Sequence, residues 1–129
     1  DEANEKVKFG AELYDIRNEL DILTYDILLK LTTGDISFLK NNSTNNISIS
    51  GNAIISKDKD RNSSCQFDIP EKMPILRQRA FMLSNDKKQF HSIYEIVSND
   101  KQDSILKTLN VYFVLDNGKW KLDFIGKDE

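Results

Sequence analysis

A chain of 129 residues is long enough for one domain with a real core and too short for two. Its 30% charged and 39% hydrophobic content is that of a globular domain rather than a disordered one, and its apolar runs are too short to span a membrane. A net charge of −3 lacks the positive surplus that phosphate binding demands, so no direct nucleic-acid binding is expected, and a lone cysteine, Cys65, excludes an intrachain disulfide and the common zinc patterns.

From about Asn4 to Thr32 the pattern predicts one long helix, without proline and with a single glycine near its start. Phe9, Leu13, Ile16, Leu20, Leu23, Ile27 and Leu31 step by threes and fours and form one apolar stripe. Thr33-Gly34-Asp35 ends the helix. Gly34 suits the left-handed C-terminal position, and Asp35 can cap a short second helix from Ile36 to Lys40. A second apolar face, of Val7, Ala11, Tyr14, Ile22, Tyr25 and Leu29, falls roughly opposite the first. A helix lying on a sheet with its back to water needs only one such face. The second is expected to be covered by the rest of the domain, or by a partner subunit or neighbouring helix, since the first stripe also alternates like a coiled-coil seam.

Asn41 to Asn46 reads as a polar loop, and Ile47-Ser48-Ile49 as a short edge strand broken at Gly51. Lys57 to Ser64 is charged and loop-like. Gln66 to Ile69 suits another short strand, ended by Pro70 and followed by a turn near Pro74. Strands are then predicted over Ile75 to Leu83 and Phe90 to Val97, joined by Ser84-Asn85-Asp86-Lys87-Lys88. A loop from Ser98 to Asp103 leads to a strand over Ile105 to Leu115, and Asn117-Gly118 predicts a type I′ hairpin. With those two residues as the loop, Leu115 faces Trp120, Phe113 faces Leu122 and Val111 faces Phe124. Six large apolar groups then share one side of the sheet, with Lys121 and Asp123 on the other.

The order of a long helix, a Thr33-Gly34-Asp35 break, a short helix with Phe38 and Leu39, and long antiparallel strands closing on Asp116-Asn117-Gly118-Lys119-Trp120-Lys121-Leu122 resembles the nuclear-transport-factor-2-like superfamily. Cystatin-like folds share the same outline. The resemblance implies an α+β cone, in which a long N-terminal helix packs on a curved antiparallel sheet. Residues 1–129 would form one such domain, with 1–12 as a helical lead-in from an upstream anchor. Of the superfamily's branches, the chain looks more like the non-catalytic, extracytoplasmic domains of Gram-positive bacteria than like the isomerases and dehydratases that work inside the cone. That branch includes assembly components of conjugative, type IV secretion-like machines. Its members carry an upstream transmembrane segment, and Asp1 in place of Met fits a processed or excised piece. Fold alone does not fix function.

Each pattern that suggests chemistry has a plainer reading. His91, the only histidine, falls on a strand with Ile93 and Glu95 and is expected to be solvent-facing or structurally satisfied. Tyr14, Asp15, Tyr25 and Asp26 invite comparison with an isomerase pattern of a tyrosine donor beside carboxylates. Asp15 and Asp26, however, share a polar strip with Glu12, Glu19 and Lys30. Asp58, Asp60 and Asn62 open like a calcium loop, but Ser63 stands where glycine is needed and Ile69 where glutamate is needed. Cys65 has no histidine near it in sequence. Asn41, Asn42, Asn46 and Asn62 each begin an Asn-x-Ser/Thr triplet, ordinary in so Asn- and Ser-rich a chain. Arg77 and Arg79 project from one strand face, towards a partner's carboxylates or towards water.

The sequence therefore points to an assembly domain and not an enzyme, with no cofactor and no metal. Val7, Tyr14, Ile22, Tyr25 and Leu29 are the expected interface, for self-association and for contact with other secretion or conjugation proteins. The alternatives are a binder of small apolar ligands or an isomerase-type domain using the cone interior, and an accessory domain of a surface lipoprotein.

Overall fold

Acidic residues at the start of the chain set up the first helix. In the computed structural model, which describes residues 1–58, 60, 62–97 and 107–128, helix α1 spans Glu2–Thr32. The Asp1 carboxylate accepts the amide of Ala3 at 3.1 Å, and Glu2 and Glu5 sit at the positive end of the helix dipole. The far end closes as a Schellman motif. The Gly34 amide donates to the Leu31 carbonyl at 3.0 Å and the Asp35 amide to that of Lys30 at 2.9 Å. This requires the left-handed φ of +88° that Gly34 adopts. Asp35 then caps α2 (Ile36–Asn41), accepting the amide and the hydroxyl of Ser37.

Seven strands follow: β1 (Ile47–Ser50), β2 (Ala53–Asp58), β3 (Ser63–Asp68), β4 (Ile75–Leu83), β5 (Gln89–Val97), β6 (Lys107–Asp116) and β7 (Lys119–Asp128). They form two antiparallel sheets, of order β1-β2-β3 and β4-β5-β6-β7. The class is α+β, with α1 packed on the curved larger sheet. β2 corrects the sequence reading, which gave 53–56 no element and began the charged loop at Lys57. Ala53 and Ile54 are buried, and β2 is the central strand of its sheet. The expected loop from Ser98 to Asp103 and the expected strand start at Ile105 lie outside the described residues.

The closing hairpin turns as predicted, with Asn117 and Gly118 at φ of 51° and 78°. Leu115 pairs with Trp120 and Phe113 with Leu122, but Tyr112, not Val111, then pairs with Phe124. A bulge at Asp123 shifts the register by one residue. Val111 therefore meets Ile125 in the core, and Phe124 passes to the opposite face beside Tyr112, where their rings meet edge to face at 5.6 Å. β4 carries a second bulge, at Arg79, between the Gln78–Tyr94 and Ala80–Ile93 pairs.

The core fills the space between α1 and the larger sheet with Leu20, Ile27 and Leu28 from the helix and Phe90, Tyr94, Val111, Phe113 and Leu122 from the strands, all at most 1% exposed. Ile54 and Phe67 of the smaller sheet join the same cluster. The outer edge of β7 is covered. The Leu122 amide donates to the Asn42 carbonyl at 2.7 Å, the Thr44 amide donates to the Leu122 carbonyl at 2.9 Å, and Ser56 bonds both backbone groups of Ile125. Among the described residues, the other end strand, β4, has no strand on its outer side.

Candidate interaction surface

Packing α1 on the sheet buries one flank and leaves the opposite one bare. The buried flank centres nearer Thr24 and Leu28 than the first stripe predicts, and both are buried beside Leu20, Ile27 and Leu31. Phe9, assigned to that stripe, is 37% exposed, because residues 1–9 are all exposed. The β4–β5 turn meets Phe9, with the Lys87 ammonium 5.3 Å from its ring centre and paired with Glu12.

Of the five residues expected to form an interface, four lie open to solvent. Val7 is 74% exposed, Tyr14 57%, Ile22 62% and Leu29 52%. The fifth, Tyr25, differs. Its body packs against the core and its hydroxyl donates to the Leu76 carbonyl at 2.8 Å. Burial, then the charge of Asp21, raises the pKa of that hydroxyl. Tyr25 thus ties α1 to β4, and the bare face runs beside it. Tyr14 also leans on β4 through an edge contact with Phe81, at 6.1 Å between ring centres.

A chain of polar contacts beneath this face fixes its orientation. Arg17 Nε donates to Gln78 Oε1 at 2.6 Å, and Gln78 Nε2 to Ser92 Oγ at 3.2 Å. The Tyr94 hydroxyl donates to Asp21 Oδ1 at 2.7 Å. Burial chiefly, and then Asp21, pushes the Tyr94 pKa far above the usual phenol range. This Asp–Tyr pair is the arrangement nearest to a catalytic one among the described residues, and the sequence reading passed over Asp21. The phenol proton is committed to Asp21 inside packed apolar groups, so it is not free to polarise a ligand carbonyl. Asp15 and Asp26, the carboxylates the isomerase comparison singled out, are exposed on the solvent side of α1.

The remaining candidates are satisfied within the fold. His91 stacks on Tyr112 with ring centres 4.0 Å apart, and its Nε2 lies 2.8 Å from Asn110 Oδ1. Glu95 receives Arg77 through Nε at 3.1 Å and through a closer Nη2 contact, and Arg79 through Nη1 at 3.5 Å, while both arginine side chains stay largely exposed to solvent. The Arg77 hydrogen bond holds the Glu95 carboxyl below its usual range. Cys65 lies half-buried on β3 against the backbone of Gly126, where a side chain would crowd the Phe124 ring at 3.0 Å and Cys65 Cβ at 3.4 Å. The calcium reading of Asp58, Asp60 and Asn62 finds Asp58 inside β2, paired with Ser63, and no metal-holding cluster occurs among the described residues.

A cleft of about 1330 Å³ opens between the tip of the β2–β3 hairpin and the outer face of β6 and β7, with Lys57, Asp58, Asn110, Tyr112 and Lys127 among its walls. It is open and mixed in charge, unlike the enclosed apolar sites that hold small ligands. No helix among the described residues is long and apolar enough to cross a membrane. The bare face of α1 has no cover within the described residues, and the chain matches no protein-family model, no curated protein and no solved structure.

Proposed function

We propose that this domain is a non-catalytic assembly module that binds protein partners, further copies of itself included, through the outer face of α1. One observation carries the reading. Val7, Tyr14, Ile22 and Leu29 stay more than half exposed on a single helix face, although the core beneath is filled. Large apolar groups aligned on one face mark interaction sites more often than single exposed ones do. The element order adds the setting that the resemblance implies: an extracytoplasmic domain of a Gram-positive conjugative, type IV secretion-like complex, held to the membrane by an upstream segment. A packed interior and a phenol already bonded to its carboxylate favour assembly over catalysis in the cone.

The test is light scattering on the domain across a range of concentrations. Association should appear with concentration and disappear in a Tyr14→Glu, Ile22→Glu double variant whose melting temperature is unchanged. A strict monomer throughout, or an oligomer indifferent to both substitutions, would overturn the proposal. Tyr25 is unsuitable for this test because its hydroxyl bond to Leu76 supports the fold.

A further inference from the structure

We draw no further inference here: the strongest candidate, the bare apolar face of α1 that carries Val7, Tyr14, Ile22 and Leu29, belongs to the interaction surface already described, and nothing in the structure shows what covers it.

Discussion

Tyr94 is the largest wholly enclosed side chain among the described residues, and its hydroxyl donates to Asp21. Removing that hydroxyl while keeping the ring, as in Tyr94→Phe, deprives Asp21 of its donor and should cost about 1–2 kcal/mol in urea unfolding. The same bond sets an alkaline limit. A phenol whose pKa is raised by folding contributes stability that is complete below the ordinary value of about 10 and is lost as pH rises through the folded one. The wild type should therefore weaken steadily above that ordinary value, and Tyr94→Phe should weaken less steeply. Little of this pair was legible in the sequence. Asp21 falls between the two apolar stripes of α1, and only the registry of helix on sheet shows that a tyrosine of β5 lies opposite. Tyr25 carried the same ambiguity, since its spacing matched the bare face while its hydroxyl found the Leu76 carbonyl. His91 was easier, because a lone histidine on a strand is most simply satisfied by its cross-strand neighbours, here Asn110 and Tyr112.

Elements with strong local signals were legible, and those fixed by their neighbours were not. Gly34 announced the end of α1 because few other residues adopt its backbone conformation cheaply, and Asn117-Gly118 announced the hairpin for the same reason. β2 was missed because Lys57 and Asp58 follow its apolar start, and charge there suggested a loop. Pairing on both sides, with β1 and β3, makes it a strand. The bulge at Asp123 was hidden for a similar reason. Its cause lies far off in sequence, where Thr44 Oγ1 and Asn46 Nδ2 donate to Asp123 Oδ1 at 2.7 and 2.8 Å. The bulge turns this carboxylate outward to hold the segment that leads into β1. Asp123→Ala should cost about 1.5–3 kcal/mol, the worth of hydrogen bonds to a charged group. Hydrogen exchange should rise first in β1 and β2, while the amides of β5 and β6 keep their protection.

At the scale of the molecule, the larger sheet has two ends that the chain treats differently. β7 is sealed by Asn42, Thr44 and Ser56, whereas β4 faces outward beside the bare side of α1. An open strand invites any extended chain to add to it, and its usual protections are charge and irregularity. β4 has both at one point: Arg79 occupies the bulge, and with Arg77 it is anchored to Glu95. Deleting Arg79 would restore an even ladder on β4 and leave the rest of the hairpin intact. The expected consequence is growth of ribbon-like fibrils that bind thioflavin, from the deletion variant and not from the parent protein. On this view the two arginines act as a terminator. They deny association to the sheet, where each added chain would expose a fresh template for the next.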